Sequence, residues 1–149
     1  MIEMRKPGRA LAPADIAAVE DAIGCALPAT YRAFLCSTNG GRPMPDTIDI
    51  EGAHFRRTDV SVFFGIDRAI ESENILWNLD IIDWCKENKL LPIAGDSGAN
   101  TFMLLLADDG YGRVYYFDAA DSPPTPYRVA ANFNEFLSKL REPKPDELP

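Results

Sequence analysis

The sequence has 149 residues, of which 46% are hydrophobic, 10% aromatic and 26% charged, and this composition is typical of one globular domain and excludes a disordered or fibrous chain. The formal net charge is −8, so the overall field repels nucleic-acid phosphates and attracts basic partners. Of the 23 acidic residues, 15 lie between positions 43 and 126, together with only 6 of the 15 basic residues, so the negative charge is concentrated in the middle of the chain.

Two short helices are predicted near the N-terminus. In APADIAAVEDAIG (residues 12–24) Pro13 suits a first helical turn, apolar residues recur every three or four positions, and Gly24 ends the pattern. In LPATYRAFLCSTNGG (residues 27–41) Pro28 opens a second helix, and Asn39 followed by two glycines ends it. A tight link therefore joins the two helices.

The central part of the chain predicts two strands and a longer helix. After a proline-containing loop, Ile48 and Ile50 alternate as in a short strand, and VSVFFGI (residues 60–66) is typical of a buried strand. Residues 73–88 are apolar around most of a helical circumference, which predicts a helix packed between the sheet and other elements. On that helix Trp77 and Trp84 lie two turns apart, either as core residues or as an aromatic anchor for a partner.

The C-terminal half predicts a meander of antiparallel strands followed by a helix. Residues 90–94, 101–106 and 113–117 are strand candidates separated by GDSGAN and ADDGYG, which are rich in turn-forming residues. Asn132 and Glu135 form a capping signal for a last helix over residues 132–140, and residues 142–149 are a polar, proline-rich tail expected to fray. The predicted fold is a single α+β domain over residues 1–149, with an ordered core at about 13–141 and a mainly antiparallel sheet packed by about four helices.

Composition and termini also predict the compartment. No apolar run approaches the roughly 18–20 residues of a membrane span, and the first ten residues lack the apolar region of a secretory signal. Cys25, Cys36 and Cys85 are odd in number and widely spaced, so they indicate neither a disulfide framework nor a zinc site. We therefore expect a cytoplasmic protein with no membrane association.

The string Gly95-Asp96-Ser97-Gly98 is the one that surrounds the nucleophilic serine of trypsin-like proteases. A serine nucleophile needs a base and an orienting acid, so a small serine hydrolase would require Ser97, the lone histidine His54 and an acid such as Asp59 to converge. The same residues are turn formers between two apolar strand candidates, with Gly98 suited to a positive φ. The pattern favours a hairpin connection, and the hydrolase is kept as an alternative.

Other chemical signals point to surface features rather than to catalysis. Asp46, Asp49 and Glu51 form a carboxylate cluster that a hard cation could use, but no calcium-loop pattern surrounds them and a solvated face is favoured. Asp108 and Asp109 precede a glycine in a turn, where two carboxylates could meet an arginine of a partner. No phosphate-binding loop, dinucleotide fingerprint or zinc-protease motif is present. We predict no metal site, no cofactor and no catalytic residue.

Four stretches, in this order along the chain, resemble the SUKH superfamily of bacterial toxin-immunity proteins and fungal Smi/Knr cell-wall-synthesis regulators. They are IAAVEDAIGCALP, LPATYRAFLCSTNGGRP, LLPIAGDSGANTFMLLL with the following GRVYYFD, and NFNEFLSKL, and together they span most of residues 16–140. The resemblance implies an α+β domain without catalysis. It also implies a protein partner, since many members bind and neutralise a toxin made by the same cell, often a nuclease.

The function predicted from sequence is a non-enzymatic, protein-binding domain of immunity type that neutralises a cognate basic toxin through an acidic surface. An intracellular regulatory or scaffold protein of the same superfamily is the alternative, as its fungal members suggest. The carboxylates predicted to contact the partner are Asp46, Asp49, Glu51, Asp80, Asp83, Asp108 and Asp109.

Overall fold

The computed structural model describes residues 2–53 and 55–148, and the first two helices lie where the sequence signals predict them. Helix α1 (Pro13–Ile23) ends at Gly24, whose φ of 75° is left-handed and whose amide donates to the Glu20 carbonyl at 2.8 Å. Helix α2 (Ala29–Ser37) follows after a short link. The glycine therefore sets the turn that allows the two helices to follow each other closely.

The described strands form three antiparallel sheets. Two are small ribbons, in which β1 (Glu3–Arg5) pairs with β2 (Arg42–Met44) and β3 (Thr47–Asp49) pairs with β4 (Arg57–Asp59). The third has five strands in chain order, which are β5 (Val62–Phe63), β6 (Leu90–Gly95), β7 (Thr101–Leu105), β8 (Val114–Phe117) and β9 (Tyr127–Ala130). The predicted meander is thus confirmed, and β9 extends it at one edge.

One face of the five-stranded sheet is closed by an aromatic core. Phe102 of β7 lies opposite Tyr116 of β8, with ring centroids 5.0 Å apart. Phe136 of α4 (Phe133–Ser138) packs 5.3 Å from Phe102, and Phe133 packs edge-on against Tyr31 of α2 at 5.0 Å. These side chains are almost completely buried, so they fill the space between this face of the sheet and the helices α2 and α4.

The opposite face is covered by a shorter helix than the sequence predicts. Helix α3 (Ile75–Ile81) ends after seven residues, and residues 82–89 continue as turns. These turns place Cys85 against β7, where its Sγ lies 3.5 Å from Met103 Sδ. The predicted helix over residues 73–88 is therefore wrong in length, because the backbone beyond Ile82 makes turn hydrogen bonds, such as that from the Cys85 amide to the Ile82 carbonyl at 3.1 Å, while Cys85 packs on the sheet.

Four α-helices and mainly antiparallel sheets confirm the α+β fold among the described residues. Strands β1, β2, β4 and β9 were not predicted, and the strand predicted over residues 60–66 is limited to β5. In the tail, Glu147 accepts two hydrogen bonds from Arg141, at 2.8 and 3.0 Å. No helix in residues 2–53 or 55–148 is long and apolar enough to cross a membrane.

Candidate functional site

Asp96 is the centre of the turn that joins β6 to β7. Its Oδ1 accepts hydrogen bonds from the backbone amides of Gly98 at 2.9 Å and Asn100 at 2.8 Å. Its Oδ2 accepts hydrogen bonds from the hydroxyls of Tyr116 at 2.6 Å and Thr58 at 2.8 Å. Burial by itself raises the pKa of Asp96, but these hydrogen bonds outweigh it and leave the pKa below its ordinary value. Asp96 is therefore an internal anion that fixes the turn to β4 and β8.

The side chain and the backbone amide of Ser97, the residue after Asp96, both donate to a carboxylate. The hydroxyl donates directly to the carboxylate of Asp59, and the amide donates to the same carboxylate at 2.9 Å. In a serine hydrolase an imidazole lies between the serine and the acid, and His54 lies outside the described residues. The antiparallel pairing of β6 with β7 confirms the hairpin prediction, although Ala99 rather than Gly98 adopts the positive φ, at 63°.

A groove lies beside α3 on the face of the sheet opposite α4, and we call it the α3 groove. It consists of three adjoining cavities, since neighbouring cavities share lining residues. The proline-side cavity, of about 450 Å³, is lined by residues that include Trp84, Leu105, Tyr115, Pro124 and Pro126. The middle cavity, of about 260 Å³, is lined by residues that include Asp83, Trp84, Phe117, Asp118 and Asp121. The turn-side cavity, of about 530 Å³, is lined by residues that include Glu73, Trp77, Ile81, Ser97 and Asn100.

The two tryptophans supply much of the apolar surface of the α3 groove. Because α3 ends at Ile81, they no longer lie on one side of a continuous helix. Trp77 lines the turn-side cavity, whereas Trp84 packs on Phe117 with ring centroids 5.0 Å apart and lines the other two cavities. Both side chains are half-buried, so each contributes to the fold and still presents an aromatic surface. Ile81 between them is 56% exposed.

Carboxylates surround this apolar surface. Asp83, Asp118 and Asp121 line the middle cavity, and Asp80 lies one residue before Ile81. Asp80 pairs with Lys86 at 3.2 Å, but both side chains are more than half exposed, and such surface pairs contribute about 0–1 kcal/mol. A competing cation from a partner can therefore replace Lys86 at low cost. The α3 groove combines aromatic walls with a negative rim.

Three of the predicted contact residues lie elsewhere, around β3. Asp49 accepts two hydrogen bonds from Arg141, at 2.7 and 3.2 Å, and Arg141 lowers the pKa of Asp49. Glu51 is exposed and lines a small cavity with Asp49, Arg128, Lys139 and Arg141. The charges around Asp49 and Glu51 are therefore mixed, because Arg128, Lys139 and Arg141 line the same cavity.

Asp46, also near β3, is partly buried. Burial raises the pKa of Asp46, and the neighbouring charges of Asp59 and Glu142 raise it further. Asp108 and Asp109 are exposed in the turn between β7 and β8, at the opposite end of the sheet from Asp96. Of the seven predicted contact residues, Asp83 lines the α3 groove, Asp80 lies one residue before the groove residue Ile81, and the other five line none of its three cavities.

Two carboxylates of the α3 groove, Asp118 and Asp121, were not selected from the sequence. They lie in the stretch DAADSPPTP after β8, where they have the appearance of ordinary loop residues. The signal that could have identified them is the cluster of prolines at 123, 124 and 126, which holds such a loop in a fixed conformation. That signal indicates a rigid loop, but it does not indicate which face of the sheet the loop covers.

The cysteines and acidic residues of the described part do not converge on a metal-binding arrangement. Within residues 2–53 and 55–148 no group of three or more His, Cys, Asp or Glu side chains is placed to hold a metal ion. Cys25, Cys36 and Cys85 are free thiols, and burial raises the pKa of Cys85 to about 12, with a further contribution from Asp83. A thiol with so high a pKa is a poor nucleophile at neutral pH.

Comparison with known proteins gives one finding for nearly the whole chain. The sequence model of a family described as SMI1 / KNR4 family (SUKH-1) matches residues 10–139. The match begins just before α1 and ends just after α4, so it includes the five-stranded sheet and every residue that lines the α3 groove. No curated protein sequence matches the chain.

Proposed function

Because the chain belongs to the SMI1/KNR4 (SUKH-1) family, we propose that it is a non-enzymatic immunity protein, which binds and neutralises a basic toxin protein made by the same cell. The α3 groove is the docking surface in this proposal. The partner contributes basic side chains, and the toxin loses access to its substrate while it is bound.

The observation that carries the proposal is the α3 groove itself. It places two half-buried tryptophans and the exposed Ile81 next to Asp80, Asp83, Asp118 and Asp121. Protein interfaces are typically built from a few aromatic anchors surrounded by polar side chains, and the anchors contribute most of the affinity.

Electrostatics supports a basic partner. The α3 groove belongs to the part of the chain that carries the excess of acidic residues, and complementary charge accelerates the encounter of two proteins. A nuclease toxin uses lysines and arginines to hold phosphates. An acidic rim that engages those same side chains would block substrate binding by occlusion, without any chemical step in the immunity protein.

The salt dependence of binding tests this mechanism. The probe is the purified domain of any basic toxin whose gene is found beside this one, titrated by calorimetry with the full chain. As salt is raised from about 0.1 M to about 1 M, the screening length falls from about 10 Å to about 3 Å, so the dissociation constant should increase by at least a factor of ten. An affinity that does not change with salt would remove the electrostatic part of the proposal.

Charge-neutral variants locate the docking surface. The double variant Asp80→Asn with Asp83→Asn should weaken toxin binding about tenfold or more, which corresponds to about 1.4 kcal/mol. The same double change at Asp108 and Asp109 tests the turn between β7 and β8, where we expect a smaller loss because neither residue lines a cavity of the α3 groove. Equal losses in the two double variants would mean that the net charge matters and the groove does not.

Protection of growth distinguishes immunity from regulation. Cells that express the toxin domain should survive when they also express this chain, and the Asp80 and Asp83 double variant should protect them less. A chain that binds the toxin without protecting cells would contradict the immunity role. A regulatory or scaffold role would instead be indicated if no toxin gene accompanies this gene and its deletion alters growth in the absence of a toxin.

A further inference from the structure

The middle cavity of the α3 groove has two kinds of wall. One wall is aromatic, formed by Trp84 and Phe117, whose rings are tilted by 56° with centroids 5.0 Å apart. The other wall is acidic, with Asp83 from the turn segment after α3 and with Asp118 and Asp121 from the loop after β8. The carboxylates come from two segments of the chain, since Asp83 precedes Trp84 in the turn segment and Asp118 and Asp121 follow Phe117, so a group in the cavity can meet carboxylates from both.

No basic residue lines this cavity in the described part of the chain, where the remaining lining residues are Ile81, Ile82, Thr101, Met103, Ala119 and Pro124. The Oδ2 atom of Asp121 is buried and accepts no hydrogen bond from any described residue. Tyr127 lies close to this carboxylate, since burial, the charges of Asp121 and Asp118 and a side-chain hydrogen bond with Asp121 raise the pKa of Tyr127, so the unpartnered atom is Oδ2 alone. A buried carboxylate oxygen without a donor is unfavourable, and most such atoms in proteins have a partner.

We propose that the middle cavity binds the guanidinium group of an arginine side chain that the protein partner inserts between Trp84 and Asp121. The inference rests on the proposed function, because it names the anchor residue by which that partner is held. The side chain stacks on the indole of Trp84, and its N–H groups donate to Asp121 and to the neighbouring Asp83 or Asp118.

The walls favour arginine over lysine for geometric reasons. A guanidinium is planar, stacks on aromatic rings and presents five donors in a fixed fork, so it can contact a ring and two carboxylates at once. A lysine ammonium is a compact, strongly hydrated charge that gains less from a flat wall.

The test uses small probes and the full chain, so it does not depend on a toxin. N-acetyl-L-arginine amide is titrated into isotopically labelled protein, and the amide and indole resonances are followed by nuclear magnetic resonance. We expect saturable shifts at the Trp84 indole and at the amides of residues 118–121, with a dissociation constant of about 1 mM, the value that ordinary ligand efficiency gives for about 15 heavy atoms. The citrulline analogue, equal in shape but neutral, should bind at least tenfold more weakly, and the lysine analogue should bind at least threefold more weakly.

Variants assign the binding to the cavity. Asp121→Asn should weaken binding of the arginine probe at least fivefold, and Asp83→Asn, at an exposed position, should weaken it by a smaller factor. Asp21→Asn makes the same change in charge on the exposed side of α1 and should leave the dissociation constant unchanged. The resonance spectrum of each variant reports directly whether it is folded, so a loss of binding cannot be mistaken for unfolding.

Three outcomes would overturn the inference. The arginine probe could cause no saturable shift, the citrulline probe could bind as tightly as the arginine probe, or the Asp121→Asn variant could bind the arginine probe with unchanged affinity. None of them bears on whether a toxin binds elsewhere in the α3 groove. Conversely, a toxin that does not bind at all would remove the proposed function and leave the result for the arginine probe intact. The two proposals can therefore fail separately.

Discussion

Asp96 and Asp121 lie in neighbouring loops at the same end of the five-stranded sheet, yet their carboxylates have opposite surroundings. The loops are joined by a hydrogen bond from the Ala119 amide to the Asn100 side chain at 2.8 Å. Asp96 accepts five hydrogen bonds from its surroundings, whereas Oδ2 of Asp121 is buried and accepts none from the described residues.

The difference shows how the same side chain serves two purposes. A carboxylate whose acceptor sites are filled from within the chain holds the fold together and has little capacity left for a partner. A buried carboxylate oxygen that accepts no hydrogen bond destabilises the protein when no partner is bound. It gains most when a partner supplies a hydrogen-bond donor. Composition counts both residues as one negative charge each, so the distinction can be drawn only from the hydrogen bonds.

The largest effect should come from removing the charge of Asp96. The Asp96→Asn variant keeps the shape of the side chain but places an amide against the Tyr116 and Thr58 hydroxyls, and it should lower the free energy of unfolding at pH 7 by about 2–3 kcal/mol. Urea unfolding followed by tryptophan fluorescence measures this loss. An unchanged urea midpoint would show that the hydrogen bonds to Asp96 contribute nothing to stability.

The loss should depend on pH in a defined direction. Because the pKa of Asp96 is lower in the folded chain than its ordinary value of about 3.9, ionised Asp96 stabilises the fold above that ordinary value. The stabilisation is lost as the pH falls through the folded pKa. The difference in unfolding free energy between the native chain and Asp96→Asn should therefore be constant from about pH 6 to 8 and shrink below about pH 4. A difference that grows in acid would contradict the direction of the pKa shift.

A smaller effect is expected when one donor to Asp96 is removed. Tyr116→Phe deletes the hydroxyl that donates at 2.6 Å and leaves the ring packed on Phe102 and Phe55. Because a hydrogen bond to a charged group contributes about 1.5–3 kcal/mol, we expect a loss of about 1.5 kcal/mol by urea unfolding. Combined with Asp96→Asn, the loss should be much less than additive, since both changes break the same bond.

One substitution in the turn around Asp96 should make the fold more stable. Ala99 has a φ of 63°, a left-handed conformation that costs an L-residue about 1–2 kcal/mol, whereas glycine adopts it freely but loses about 0.5–1 kcal/mol of backbone entropy on folding. Ala99→Gly should therefore raise the free energy of unfolding by about 0.5–1 kcal/mol. A lower urea midpoint in Ala99→Gly would argue that the Ala99 methyl group has a packing role in the turn-side cavity.

Much of the fold was predictable because local signals specify it. The glycine after α1, the Asn132 and Glu135 cap of α4, and the turn formers between β6, β7 and β8 act within a few residues of where they lie. Strands β1 and β9 were missed because three or four residues are too few to show alternation. The helix predicted over residues 73–88 is too long because the pattern of apolar residues does not show that Cys85 and Trp84 pack against the sheet.

The candidate site was less predictable because it also depends on contacts between distant parts of the chain. A sequence gives the sign of each charge, so Asp49 and Asp83 were equal candidates. The structure separates them, since Asp49 is paired with Arg141, which lies 92 positions away, and Asp83 lines the α3 groove. Long-range pairing of this kind leaves no trace in spacing or composition. Asp118 and Asp121 were overlooked because their importance depends on which face of the sheet their loop covers.

The smallest effect on stability is expected at Asp121, and it completes the comparison with Asp96. Asp121→Asn removes a charge that has Asp118 for a neighbour and an oxygen that accepts no hydrogen bond, so the free energy of unfolding should change by less than about 0.5 kcal/mol. The measurement is the same urea titration at pH 7, run beside Asp96→Asn. If Asp121→Asn lost as much stability as Asp96→Asn, the Asp121 carboxylate would have to be a structural anion as well. It would then have no acceptor site to offer a partner, and the distinction between filled and unfilled carboxylates at this end of the sheet would not hold.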